Sequence, residues 1–150
     1  MTADIATRFD LGDVDQIGYV VSDIEQAIPR FAQLFGECTR MDSTAADTVF
    51  RGKKSDVTLK LAFFRSGPIE IELIEPVSGA GPHQEFLDNG GEGTHHVRFR
   101  VTDLDAKLPE LNAAGYETVW YSRFTPEIAW AYLETPRPEG GGVFELLEMP

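Results

Sequence analysis

A single cysteine, Cys38, occurs in 150 residues, so neither an intrachain disulfide nor a cysteine-rich zinc site can form. That usage suits a reducing cytoplasm, which is the expected location. Basic residues are scarce: 13 Lys and Arg stand against 25 Asp and Glu, a formal charge of −12. Such a charge repels phosphate backbones and anionic lipid, so neither nucleic acid nor a membrane is expected as a partner. No apolar run approaches the ~20 residues that cross a bilayer, and the first ten residues hold no apolar export core. What is present is 42% hydrophobic and 11% aromatic residues, too apolar for a solvating acidic tail. The length suits a single domain over 1–150, burying roughly 70% of the unfolded surface.

The chain repeats itself. The segment from Asp15 to Ile24 aligns with His95 to Leu104, 80 positions later, and Ile28, Pro29 and Phe31 fall on Leu108, Pro109 and Leu111 at the same offset. Glu72-Leu73-Ile74-Glu75 recurs as Glu145-Leu146-Leu147-Glu148, 73 positions later. The blocks keep their order, and the shorter second offset means that the copies differ in loop length. The expected organisation is a first βαβββ module over 12–76, a linker over 77–93 and a second module over 94–150.

Within each copy, Gln16 to Val21 and His96 to Val101 read as strands, rich in β-branched and aromatic residues. Asp23 and Asp103 offer N-cap oxygens, Gln26 completes a capping box with the first, and Ile24, Ala27, Ile28, Phe31, Leu34 and Phe35 have helical spacing. Leu104, Leu108 and Leu111 repeat that stripe. Pro29 and Pro109 inside the helices are expected to bend them. Val57 to Phe64 and Ile69 to Glu75 predict a hairpin turned by Ser66-Gly67-Pro68. Ile128 to Glu134 and Val143 to Glu148 predict its counterpart around residues 136–142. One helical turn is expected at Gln84 to Leu87.

Strand side chains alternate between faces. Ile17, Tyr19 and Val21 must meet the first helix, which turns Gln16 away from it; Val97, Phe99 and Val101 likewise turn His96, Arg98 and Arg100 away. Ile71 with Leu73, and Phe144 with Leu146, send Glu72 and Glu145 to that same concave face. Polar groups within apolar strands are costly unless paired or metal-bound. Gln16, Glu72, His96 and Glu145 offer oxygen and imidazole without thiolate, a set suited to Zn, Ni, Co, Mn or Fe.

These blocks, together with Gly93-Thr94-His95-His96-Val97 and Gly142-Val143-Phe144-Glu145-Leu146, resemble the vicinal oxygen chelate superfamily. It includes glyoxalase I, methylmalonyl-CoA epimerase, extradiol dioxygenases and bleomycin-resistance proteins. The resemblance implies an α+β fold in which tandem βαβββ modules form a cup-shaped, partly open mixed sheet around one divalent metal ion. Its metal positions fall on Gln16, Glu72, His96 and Glu145, the Gln, Glu, His, Glu order of eukaryotic-type glyoxalase I. The epimerase branch has His at the first of these positions. Its second carboxylate is expected on the strand from Val57 to Phe64, which here carries Thr58, Leu59 and Lys60. Gln16 also speaks against the two-His, one-Glu set of the dioxygenases.

The expected function is a metal-dependent isomerase, epimerase or lyase that transfers a proton next to a carbonyl of a small apolar or aromatic substrate. Glu145 is the expected base and Glu72 its pseudo-symmetric partner. Arg98, Trp130 and Tyr132 are expected to bind substrate, Arg98 by receiving an anionic group or by offsetting Glu72 or Glu145. Trp120, Tyr121 and Phe124 extend the aromatic group. The alternatives are a metal-free small-molecule-binding protein of the resistance type and a ring-cleaving dioxygenase. A homodimer is expected, with the cup closing within one chain or between two. His95 is expected to pack, His83 to lie exposed in the linker, and Arg51-Gly52-Lys53-Lys54 to form a solvated turn.

Overall fold

The computed structural model describes residues 4–136 and 142–150. The first half runs α1 (Ile5–Arg8), β1 (Val14–Val20), α2 (Ile24–Phe35), β2 (Thr39–Phe50), β3 (Lys53–Ser66) and β4 (Ile69–Ser78). After α3 (Pro82–Asp88), the second half runs β5 (Gly93–Arg100), α4 (Leu104–Ala113), β6 (Glu117–Arg123), β7 (Ala129–Glu134) and β8 (Val143–Glu148). The eight strands close a ring in the order β1-β4-β3-β2-β6-β7-β8-β5. β1 pairs in parallel with β4 and antiparallel with β5, and β5 pairs in parallel with β8. The seam opposite β1 and β5 is thin: β2 meets β6 only at Val49↔Tyr121 and Phe50↔Trp120. A mixed sheet curled into a cup is what the superfamily resemblance implies, and one chain suffices to close it.

Period-2 alternation decides which face each strand residue takes. Ile17, Tyr19, Val21, Ile71 and Leu73 pack against Ile24, Ala27, Ile28 and Phe31 of α2. Val97, Phe99, Val101, Phe144 and Leu146 pack against Leu104, Leu108 and Leu111 of α4. Those two layers leave a third apolar group, including Leu59, Leu61, Ile74, Trp120 and Tyr132, inside the ring. Interdigitated helix and sheet faces of this kind exclude water on the outside and hold the strand register within, because a one-residue slip would expose every core side chain.

The helix starts show the duplication in atomic detail. The backbone N–H of Ile24 donates to Glu75 Oε1 at 3.2 Å, and that of Leu104 donates to Glu148 Oε2 at 3.0 Å. A glutamate of the last strand of each half, at matching places in the repeat, thus satisfies the first orphan amide of its helix. Asp23 caps α2 by accepting from the N–H groups of Glu25 and Gln26. Asp103 does not behave as expected: its backbone is left-handed (φ 52°) and its side chain makes no cap bond. Glu148 already takes the amide nearest that cap. Pro29 and Pro109 lie inside α2 and α4, which continue to Phe35 and Ala113.

The stretch expected to be linker holds more structure than one turn. β4 extends to Ser78 and α3 spans seven residues, with Pro82 at its start, where the missing N–H costs no helical bond. His83, expected to be exposed, is 2% exposed. α3 inserts it among aromatic rings, with centroids 5.5 Å from His95, 5.3 Å from Trp120 and 5.4 Å from Tyr132. Sequence periodicity over seven residues is too short to reveal such a docked face. In the turn after β2, expected to be merely solvated, Arg51 is tied to Glu85 of α3 and Glu134 of β7 at 2.7 and 2.8 Å.

Candidate metal centre and active site

Four side chains from four strands converge inside the ring. His96 Nε2 lies 3.2 Å from Gln16 Oε1, 3.2 Å from Glu145 Oε2 and 3.8 Å from Glu72 Oε2. All four residues are buried, from 1% exposed for Gln16 to 8% for each glutamate. One ligand atom each from Glu72, His96 and Glu145 fall within 4.8 Å of one another. For ligand bonds of ~2.1 Å, neighbouring donors stand ~3.0 Å apart in an octahedron and ~3.4 Å apart in a tetrahedron. The contacts of His96 Nε2 at 3.2 to 3.8 Å are near those values, so the donor set fits a divalent cation once the two carboxylates draw in around it.

The register explains the convergence. Gly18 of β1 lies opposite both Glu72 of β4 and His96 of β5. A Cβ built on Gly18 would overlap the His96 ring, with Cε1 and Nε2 the first atoms struck. Glycine in mid-strand therefore makes room for the imidazole to lie across β1. One step along the sheet, Gln16 lies between Glu70 and Arg98, and Arg98 lies opposite Glu145. Gln16 Nε2 donates to Glu70 Oε1 at 2.7 Å, which turns the amide oxygen towards His96. His96 Nδ1 is 3.1 Å from His95 Nδ1, so the neighbouring ring restrains the imidazole from behind. Arg98 points into the interior but is engaged by Asp15, with Nε at 2.8 Å from Oδ1 and Nη2 at 3.2 Å from Oδ2. Neither contact was readable from spacing, since a bulge between Val14 and Gln16 displaces Asp15 from simple alternation.

The electrostatics reflect two carboxylates sharing a dry site. Burial, then the charge of Glu145, pushes the Glu72 carboxyl well above the usual carboxylate range, with Arg98 opposing. Burial, then Glu145 and Glu72, pushes the Tyr132 hydroxyl up as well. Tyr132 OH is 2.9 Å from His83 Nε2. Burial holds His83 well below the ordinary histidine value, helped by His95 and His96. It drives His95 down to about 3, with His96 adding to the effect.

These shifts set a pH dependence. His83 and His95 are neutral in the fold, whereas the unfolded chain binds their protons below pH about 6.5. Acid therefore favours the unfolded state. Glu72 acts in the opposite sense, because the fold retains its proton above pH about 4.5, where the unfolded carboxyl has lost it. The metal-free protein should lose about 1.4 kcal/mol of stability per pH unit from these groups between pH ~6.5 and ~4.5. Below pH ~4.5 the slope should double, because Glu72 is then protonated in both states. Urea unfolding between pH 7 and 4 measures the slope; a flat profile would show that the two rings are not held neutral.

A cavity of about 450 Å³ opens beside the cluster, and Glu72, Glu145, Arg98, His83, Tyr132 and Trp130 contribute to its lining. Trp130 and Tyr132 share the inward face of β7, as alternation requires. Leu59, Leu61 and Phe63 are the lining residues from β3; no carboxylate enters from that strand.

The matches with other proteins follow the same lines. A family model described as the glyoxalase/bleomycin resistance protein/dioxygenase superfamily matches residues 15–129. The uncharacterized protein YqjC of Bacillus subtilis (strain 168) is 27% identical over 139 residues, which is 90% of this chain and 91% of that protein. Among solved structures, a hypothetical protein from Bacillus halodurans C-125 superposes with a TM-score of 0.64 at 23% identity, covering 92% of this chain and 94% of that one. Methylmalonyl-CoA epimerase from Mycobacterium tuberculosis superposes with a TM-score of 0.64 at 25% identity, covering 91% and 87%. With most of its length matched, repeated halves and a curled mixed sheet, this chain belongs to the glyoxalase/bleomycin resistance protein/dioxygenase superfamily.

Proposed function

We propose that the ring binds one divalent metal ion through Gln16, Glu72, His96 and Glu145 and catalyses proton transfer next to a carbonyl, as an isomerase, epimerase or lyase. The observation that carries this reading is the convergence of three carboxylate or amide oxygens on His96 Nε2 at 3.2 to 3.8 Å in a buried pocket. Without a cation, two buried carboxylates repel each other and one is kept protonated; a divalent charge between them removes that penalty. A metal there would polarise a carbonyl oxygen and make the adjacent C–H more acidic.

The chain's own residues do the rest. Glu145 and Glu72, on β8 and β4, flank His96 from two strands, so one takes a proton from carbon and the other stands ready to return one. Gln16, held by Glu70, contributes an oxygen without adding a further charge. Arg98, bound to Asp15, moderates the negative field at Glu72 rather than seizing a substrate anion. The similarity to epimerases of Mycobacterium tuberculosis and Streptomyces coelicolor supports an isomerase-type reaction. Trp130 and Tyr132 supply an apolar wall that favours a small aromatic or cyclic substrate.

Protein purified without chelators, and resupplied in turn with Zn, Ni, Co, Mn and Fe, should hold about one ion per chain. At 100-fold excess over the dissociation constant the gain is about 2.7 kcal/mol, read as a rise in Tm. The loaded protein should speed solvent-deuterium incorporation next to the carbonyl of small ketones. Tight binding of no ion would overturn the enzyme reading and leave a metal-free small-molecule carrier.

A further inference from the structure

Two of the four converging side chains have unlike ends. Glu72 and Glu145 offer equivalent oxygens whichever way their carboxylates turn, whereas the Gln16 amide has an oxygen at one end and an NH₂ group at the other. Only the oxygen has a lone pair to give a cation, so the end that faces the cluster decides whether Gln16 is a ligand at all. The His96 ring has the same need. His95 meets it, because its Nδ1 lies 3.1 Å from His96 Nδ1 and so leaves Nε2 facing inward.

For Gln16 the neighbour is Glu70. Gln16 stands opposite Glu70 in the parallel pairing of β1 with β4, as His96 stands opposite Val143 in the parallel pairing of β5 with β8. The offsets of 80 and 73 positions that relate the two halves also relate Gln16 to His96 and Glu70 to Val143. The duplicate of Glu70 is therefore an apolar side chain that makes no hydrogen bond, and the carboxylate occurs in the half whose ligand is an amide. Gln16 Nε2 donates to Glu70 Oε1 at 2.7 Å, while Gln16 Oε1 faces His96 Nε2 at 3.2 Å. Turning the amide over would set its oxygen against the Glu70 carboxylate and its NH₂ group towards the ion. Arg98 Nη2 lies 3.6 Å from Glu70 Oε1 and Arg65 Nη2 lies 3.8 Å from Oε2, so the carboxylate is anchored through both oxygens.

We propose that Glu70 is a positioning residue of the metal centre: it stands behind Gln16 and fixes the amide with its oxygen, not its nitrogen, turned into the cluster. The inference rests on the proposed metal site for what that oxygen meets, but the orientation itself belongs to the metal-free fold. Without such a partner the amide would present the wrong end part of the time, and affinity for the ion would fall by the fraction wrongly turned.

Glu70→Val, which removes the acceptor, should weaken zinc binding by ~10- to 100-fold in a calorimetric titration. Glu70→Gln keeps an acceptor oxygen beside Arg98 and should bind zinc nearly as wild type does. In Gln16→Glu the two ends become alike, so adding Glu70→Val to that variant should bring no further loss. The metal-free protein supplies a second readout. In a ¹H–¹⁵N spectrum the Gln16 side-chain signal, identified by its absence from Gln16→Glu, should have one proton downfield of the other glutamine amides and should rejoin them in Glu70→Val. Equal losses of affinity in Glu70→Val and Glu70→Gln, or the same loss with and without Gln16→Glu, would show that Glu70 acts by its charge or by supporting the fold, and would overturn the proposal. So would a Gln16 signal that Glu70→Val leaves in place. Wild-type protein that takes up no metal yet shows the downfield amide proton would sink the metal-enzyme reading while leaving the hold of Glu70 on Gln16 standing.

Discussion

Glu145→Gln is expected to keep the fold while slowing metal-dependent proton exchange by ~10² to 10⁴. The amide matches the carboxylate in shape, so the buried position beside His96 stays filled, and its oxygen can still face a cation. What it loses is the ability to take a proton from carbon. Stability should change little, because removing one of two buried acidic groups relieves the repulsion that adds to burial in keeping Glu72 protonated. The measurement is solvent-deuterium incorporation into 1,4-diacetylbenzene, followed by proton NMR against wild-type protein carrying the same ion. Unchanged exchange would transfer the base role to Glu72, and Glu72→Gln would then show the loss instead.

The second large effect is expected from a residue with no side chain. In Gly18→Ala the new methyl group would occupy space now filled by the His96 ring, which is 2% exposed and has His95 at its back. The imidazole has no free direction in which to retreat. Overpacking of this kind typically destabilises by ~1 to 3 kcal/mol. Shifting Nε2 relative to Gln16, Glu72 and Glu145 should also weaken metal binding by ~10- to 100-fold, the effect seen when the support of a metal ligand is disturbed. Calorimetric titration with zinc, alongside urea unfolding of the metal-free variant, separates the two effects. Wild-type affinity in Gly18→Ala would mean that His96 does not ligate from its present position.

The parity of the strands was legible before any coordinates. Ile17, Tyr19 and Val21 must pack on a helix, so Gln16 cannot; the same reasoning turns His96, Glu72 and Glu145 inward, and the structure places all four there. The two long helices α2 and α4 were equally legible, because Asp23 and the stripes ending at Phe35 and Leu111 are local signals. Local signals failed where the partner lies far along the chain. Asp103 looks like a cap in sequence, yet its left-handed backbone leaves its side chain without a cap bond, and the Leu104 amide is received by Glu148, 44 residues further on. His83 sits in a Gly- and Pro-rich stretch that reads as linker, and only the docking of α3 buries it against Tyr132.

By itself the amino-acid sequence determined the duplication, the period-2 and period-3.6 patterns and hence which side chains share the concave face, because these follow from covalent geometry and the burial of apolar surface. Tertiary structure alone decided the distances. It joined β1 to both β4 and β5, so that Gly18 yields its space to His96. It gave Arg98 to Asp15 through a bulge, and it buried the indole donors of Trp120 and Trp130 without an acceptor. Those outcomes depend on closing a ring of strands whose partners lie up to 85 residues apart, and no spacing within a single segment encodes where two such strands meet.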